Sequence, residues 1–292
     1  MIEGILVEGL IYGLMVLGVF ITFRVLDFPD LTVDGSFPLG AAIMAVMLVH
    51  NFNPFIALLV VFAAGVTAGA ITALIHNKLK VPNLLAGILT MTMLYSVNIR
   101  ILNNRANIPL LKTETMITKV TALTEGIIPE SIAVLLLFLL IIFIFKFGLD
   151  LFFHTDLGLT LGAMGGNEQM VITQGVNPEL LKIIGLGLSN GLVALSGAFA
   201  AQYLGFADVN MGIGIVITGL ASVMIGEFLF HSSKISMLTL RVLLGAIVFK
   251  GIMYAGRYYG YYINMTPNDL KLITGILIIL LLVVSKVKKG AR

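Results

Sequence analysis

Lys250 is the residue most in need of a chemical explanation. It lies about fifteen residues into an otherwise apolar run, 235–256. An ammonium group at bilayer depth costs about 2.5–3.5 kcal/mol even on the mildest scale. Three readings stand side by side. Lys250 pairs with Glu8, early in the run 4–23; it lines a wet pathway and meets a substrate carboxylate; or its four-carbon stem carries the charge outward to water. A second polar group lies in Arg24-Val-Leu-Asp-Phe-Pro-Asp-Leu-Thr-Val-Asp-Gly35. With Asp27, Asp30, Thr32 and Asp34 among apolar residues, it is too charged for a span and too apolar for a loop. Pro29 and Gly35 break a helix there, so we expect a discontinuous element, which is tolerated at depth only where protein or a cavity surrounds it. Asn190 sits among small residues, with Gly187/Gly191 and Ala194/Ala198 at close-packing spacing, and is placed to bond across helices. Arg241 lies near the end of its run, where snorkelling accounts for it, and Glu227 falls near the same face.

The chain lacks the constellations that enzymes need. There is no Gly-x-x-x-x-Gly-Lys-[Ser/Thr] phosphate loop, no His-Glu-x-x-His and no Gly-x-Ser-x-Gly. This chain is therefore not expected to hydrolyse ATP itself, and no catalytic, cofactor or metal site is assigned. Absence of cysteine excludes disulfides, thiolate metal sites and cysteine nucleophiles. His50, His76, His154 and His231 fall at the ends of apolar runs or in loops, which reads as interfacial polar residues.

The elements that must hold these residues are membrane spans. Of 292 residues 59% are hydrophobic and 11% charged, against about 45–50% and about 25% in soluble domains. Apolar runs at 4–23, 36–50, 54–75, 82–103, 130–148, 182–203, 212–230, 235–256 and 269–286 predict an all-α polytopic protein of about nine transmembrane helices, one or two of them discontinuous. Ile5–Phe23 is too long for a signal h-region and reads as a retained first span. Lys286, Lys288, Lys289 and Arg292 predict a cytoplasmic C-terminus and, by counting spans, an external N-terminus. The basic residues form no block suited to nucleic acid. Arg257-Tyr-Tyr-Gly-Tyr-Tyr262 reads as an interfacial aromatic belt, and Asn264-Met-Thr266 matches a glycosylation sequon.

One transmembrane domain, 1–292, is expected, with a first half of about 1–148, a cytoplasmic segment of about 149–181 and a second half of about 182–292. Leu84–Tyr95 resembles Leu243–Tyr254, and a break containing Asp and Gly precedes each, at Asp30–Gly35 and Asp208–Gly214. We read this as a weak, inverted internal repeat, a pointer to a transport pathway. Between the halves, Gly158–Val176 is polar, glycine-rich and short of net charge. A loop of this kind offers a surface for a separate soluble engine to push against. The rival reading is a stand-alone secondary transporter or channel, which would need a relay of buried titratable groups.

Several segments, in order, resemble the ABC importer permeases of the branched-chain amino acid and ribose type. Phe28-Pro-Asp-Leu-Thr-Val-Asp-Gly-Ser-Phe-Pro-Leu-Gly-Ala-Ala42 is similar to the family's "DLSVGS…GA" segment. Leu161-Gly-Ala-Met-Gly-Gly-Asn-Glu-Gln-Met-Val-Ile-Thr-Gln-Gly-Val176 is similar to its "AIGGNEEAARLSGI" loop. Ala221–Gly226 and Lys80-Val-Pro82 match in part. Within the superfamily the chain looks most like the bacterial branch predicted to import tryptophan, tyrosine or related compounds. The resemblance implies a pathway built from two permease copies, a dimer of ABC ATPase subunits that carries ATP and Mg, and an extracytoplasmic substrate-binding protein, in a bacterial cell membrane. It implies that Ala163, Met164, Gly165, Gly166, Asn167, Glu168 and Gln169 form the coupling helix, with Gly165 and Gly166 allowing close backbone approach and Asn167 and Glu168 supplying polar contacts. Asp30, Thr32, Asp34, Gly35, Asn190 and Lys250 are the candidate pathway residues. The chain departs from the pattern at Asp34, where the family has a small residue, and at Glu227, where many members have a second glycine.

Overall fold

A computed structural model describes residues 2–111, 113–229, 232, 234–260, 272–280 and 283. Seven helices among them are long and apolar enough to cross a membrane, and an eighth apolar helix, Val33–Val49, is shorter. In chain order the helices are α1 (Ile2–Phe20), α2 (Val33–Val49), α3 (Pro54–Leu79), α4 (Asn83–Ile101), α5 (Met116–Leu123), α6 (Glu130–His154), α7 (Asp156–Gly166), α8 (Glu168–Thr173), α9 (Pro178–Leu204), α10 (Ile215–Leu229) and α11 (Ile235–Gly260). Residues 272–280 of the expected ninth span are helical as well. The basic tail, the second tyrosine pair of the belt, the sequon and His231 lie outside the described residues.

Local chemistry sets the ends of these helices. Asn53 and Asn177 each cap a helix that starts with proline: Asn53 Oδ1 accepts from Phe55 N at 2.9 Å, and Asn177 Oδ1 from Glu179 N at 2.9 Å. Gly205, with φ 77°, closes α9 in the left-handed conformation. The chain then enters β2 (Phe206–Asp208), which pairs antiparallel with β1 (Asn107–Pro109) in a small ladder across one end of the bundle.

α9 is the central post. Its most apolar window is 83% buried, against 33% for α3 and α6 and 28% for α4. The small residues noted in the sequence permit this. A Cβ on Gly40 of α2 would overlap the Ala194 carbonyl, and one on Gly197 would overlap the Phe37 carbonyl. Gly191 lies against the Phe62 ring of α3. α9 therefore grips α2 and α3 through its small faces and α1 through hydroxyls: Ser189 Oγ donates to Gly18 O and Ser196 Oγ to Ile11 O, both at 2.7 Å. Such bonds are worth about 0.6 kcal/mol on average in a membrane.

Two expectations change in detail. The first break is shorter than the sequence suggests. α1 passes into a π-helical turn, Ile21–Val25, the chain is irregular through residue 32, and α2 starts at Val33. Gly35 and Pro38 thus lie inside a helix. Pro38 is tolerated near the start of α2, where it frees the Asp34 carbonyl, and Gly212 packs directly onto that carbonyl. The segment 158–176 is not an open loop. It is two short helices, each with its own N-cap: Thr155 Oγ1 accepts from Gly158 N at 3.2 Å, and Asn167 Oδ1 from Met170 N at 3.1 Å.

Candidate functional site

The two breaks noted in the sequence meet inside the bundle. In the first, Asp30 and Thr32 are fully buried. Asp30 Oδ1 accepts from Thr32 N at 2.8 Å, and Oδ2 accepts from Asn190 Nδ2 at 2.7 Å. Asn190 Oδ1 in turn accepts from Ser36 Oγ at 2.7 Å, and Thr32 Oγ1 lies 2.7 Å from Thr72 Oγ1 of α3. One polar network thus ties the irregular segment to α2, α3 and the middle of α9. Gly87 of α4 closes it from the side: a Cβ there would come within 2.7 Å of Leu31 N.

Asp34 reaches the second break. Its Oδ2 accepts from Gly214 N at 3.2 Å and its Oδ1 from Val216 N at 2.9 Å, so it caps α10 from the other half of the chain. The second break consists of β2, a 3₁₀ turn (Val209–Gly212) and Gly214 at φ 83°. Asp34, Gly35 and Pro38 form one side of a cavity of about 280 Å³, with Met91 and Asn98 of α4 opposite and Val209 and Ile213 at its edge. Asn98 is fully buried; its Nδ2 donates to Gly35 O at 3.1 Å, while its Oδ1 has no partner. Interrupted elements that meet beside a cavity are suited to passing a solute.

Lys250 stands apart from this group. Its Nζ is 3.3 Å from Glu8 Oε2 and 3.2 Å from the centroid of the Tyr12 ring. Of the three sequence readings, pairing is the one this geometry displays, although the pair also borders a separate cavity of about 270 Å³ with Tyr254 and Arg257. Arg241 does not snorkel freely. With a side chain only 11% exposed, it shares Glu227 with Arg24: Arg24 Nε lies 2.6 Å and Arg241 Nη2 3.4 Å from Glu227 Oε1.

The seven residues from Ala163 to Gln169 straddle the α7–α8 junction rather than forming one helix. The two glycines behave differently. A Cβ on Gly165 would overlap the Val25 carbonyl, so Gly165 serves a close approach within this chain. Gly166 has nothing within 4 Å of a Cβ position. The Asn167 side chain is occupied as the α8 cap, and Glu168 Oε1 pairs with Lys182 Nζ at 2.9 Å. Lys182 Nζ also lies 3.3 Å from His76 Nε2, and the His76 ring meets Phe28 edge-on with centroids 5.3 Å apart.

Sequence reasoning passed over Ser36, Thr72, His76, Asn98 and Lys182 as site residues. Asn98 carried a usable signal, being an amide in the last turn of the least apolar of the long spans. Asp150 was likewise missed. It is 8% exposed, ion-paired with Lys146 and accepts from Thr239 Oγ1 at 2.6 Å. Among the described residues no cluster of His, Asp and Glu could hold a metal ion.

Comparison with known proteins agrees with this architecture. A family model described as branched-chain amino acid transport system / permease component matches residues 1–283. A tyrosine transport system permease protein of Clostridioides difficile is 42% identical over 278 residues, covering 95% of this chain and 89% of that protein. An uncharacterized protein of Rickettsia prowazekii is 33% identical over 282 residues, 97% and 96% of the two chains. A ribose import permease protein of Haemophilus influenzae is 25% identical over 231 residues, 77% and 65% of the two chains. No solved structure matches.

Proposed function

Because the chain belongs to the family of branched-chain amino acid transport system permease components, a group of multi-pass membrane proteins, we propose that it is the membrane-spanning subunit of an ATP-driven importer. Its cargo is a small amino acid or aromatic metabolite, in keeping with the tyrosine transport name of its Clostridioides difficile relative. Two copies form the pathway, a pair of ATPase subunits binds at the α7–α8 end, and an extracytoplasmic binding protein delivers the solute. The α7–α8 end and the C-terminus face the cytoplasm, and the N-terminus lies outside.

One observation carries the reading. Gly165 of α7 packs on the Val25 carbonyl at the end of the π-helical turn, and Asp30 lies only five residues further on. A push on α7 therefore reaches the buried network through a short, continuous piece of backbone. Leu26, between them, packs into Gly185 of α9, a glycine that also faces Leu161 of α7, so the central post feels the same displacement. Alternating access follows as a rocking of the two halves about the junction of the breaks.

α4 supports a second copy. Its apolar window has mean hydropathy 1.5 and is 28% buried, whereas α6 has 3.0 at 33%. α6 suits lipid. The exposed Thr92 and Tyr95 of α4 suit a partner or a wet pathway instead. The rival secondary transporter needs a relay, but Asp30 bonds to Thr32 and Asn190 while Lys250 bonds to Glu8, and the two sets share no partner.

The test is co-expression with the candidate ATPase and measurement of ATP hydrolysis in proteoliposomes. Gly166→Trp is the clean probe, because it fills space that is open in this chain. Wild type should co-purify with the ATPase, and Gly166→Trp and Glu168→Arg should uncouple or dissociate it. An ATPase that fails to bind wild type, with both variants behaving like wild type, would leave α7–α8 as a connector and sink the proposal.

A further inference from the structure

We infer that the cavity between α2, α4 and the 3₁₀ turn is a binding site for the ammonium-bearing end of the solute, with Asp34 as the charged partner. The inference rests on the importer reading above and goes on to specify the ligand's chemistry. The cavity, about 280 Å³, is lined by no lysine, arginine or histidine. Its apolar walls are Pro38, Met91, Val209 and Ile213. Its polar side chains are Asp34, Thr92, Tyr95 and Asn98, of which Asp34 is the one that carries charge. Asp34 has no ion pair among the described residues and takes only backbone N–H donors, from Gly214 and Val216. Each carboxylate oxygen can accept more than one hydrogen bond, so capacity remains for a ligand. Asn98, in the opposite wall, keeps a carbonyl oxygen that no group satisfies, but that atom is buried behind the cavity surface. The Thr92 hydroxyl is already committed to Ile88 O at 2.7 Å. An anion with no ammonium beside it would meet the like charge of Asp34. An ammonium group would find one anion, with room beside it for a small apolar body. The volume lies just below the range of about 300–1,000 Å³ typical of ligand pockets, which suits a solute of amino-acid size.

Capping α10 is a competing explanation for Asp34, and two substitutions taken together separate the two. Asparagine keeps one acceptor oxygen for the α10 N–H groups and puts an amide where the other oxygen accepts, so Asp34→Asn removes the charge and leaves part of the cap, whereas a block at the cavity edge leaves the whole cap in place. The experiment measures binding of tritiated tyramine to the full chain with its ATPase in nanodiscs, without the binding protein. Wild type should bind tyramine. L-Tyrosine should displace it, and 3-(4-hydroxyphenyl)propanoate, which lacks the amine, should not. Asp34→Asn should weaken tyramine binding at least tenfold while the complex still assembles with the ATPase. Ile213→Trp, which blocks the exposed edge of the cavity, should do the same. The inference is overturned if wild type binds no amine, if the propanoate competes as well as L-tyrosine, or if Asp34→Asn binds like wild type. ATP hydrolysis in the same preparation tells the two failures apart. Assembly and hydrolysis that persist without amine binding remove the ligand site alone, and a chain that never assembles with the ATPase removes the importer reading itself.

Discussion

Replacing Asn190 by leucine tests the buried network directly. The Asn190 side chain makes three hydrogen bonds, to Asp30 Oδ2, from Ser36 Oγ and to Leu186 O. Three bonds at the intramembrane average set a floor of about 2 kcal/mol. Leucine also strands Asp30 Oδ2 and the Ser36 hydroxyl in a region that water does not reach, and each stranded group costs about 1–3 kcal/mol. The two stranded groups already include their lost bonds, so we expect Asn190→Leu to destabilise the fold by about 2–6 kcal/mol. Ser36→Ala alone should cost about 0.5–1.5 kcal/mol. In the double variant there is no hydroxyl left to strand, so the combined loss should fall short of additivity by at least about 0.5 kcal/mol. The assay is reversible unfolding in mixed detergent and SDS micelles, followed by circular dichroism, for wild type, both single variants and the double variant. A loss below about 0.6 kcal/mol for Asn190→Leu, the worth of one average intramembrane bond, would refute the claim that this residue fastens the irregular segment to α9. Strict additivity would refute the Ser36–Asn190 contact.

Two further expectations concern the ends of the molecule. Gly165→Val should lower the thermal midpoint measured by fluorescence-detected size exclusion, because its side chain would overlap the Val25 carbonyl; Gly166→Ala should stay within about 0.5 kcal/mol of wild type, and equal behaviour of the two would dissociate α7 from the π-helical turn. Lys250→Met should destabilise by about 1–3 kcal/mol by leaving Glu8 without its cation, and adding Glu8→Gln should recover most of that loss; a double variant no more stable than Lys250→Met would mean that the pair contributes nothing.

The spans were legible because a run of twenty apolar residues has few alternatives, and every run within the described residues up to Gly260 became a helix. The breaks were legible too, since Asp, Pro and Gly cannot continue an apolar helix without company. Their partners were not legible. Nothing local to Asp34 indicates that it will cap α10, because the donors lie 180 and 182 residues away. The helices α7 and α8 were hidden by glycine content, although Thr155 and Asn167 were available as caps and only the cap geometry reveals their use. Gly165 and Gly166 are adjacent and chemically identical, so only packing could assign one to Val25 and leave the other open. Asn98 shows the same limit, since an amide in a span can be recognised in the sequence but the state of its carbonyl oxygen cannot.

The Asp30–Ser36–Asp34 partners also set a timetable for biosynthesis. Ser36 waits 154 residues for Asn190, Asp30 waits 160 for the same side chain, and Asp34 waits 180 for Gly214. At about 5–20 residues per second of elongation, that interval is on the order of 10–30 s. Throughout it the polar start of α2 has no permanent place in lipid, while α1, α3 and α4 are already long enough to insert. The first half must therefore be held at the translocon, or with this segment still in contact with water, until α9 emerges and supplies the amide. A ribosome stalled shortly before Asn190 would leave a nascent chain whose early helices are inserted but whose centre is still open.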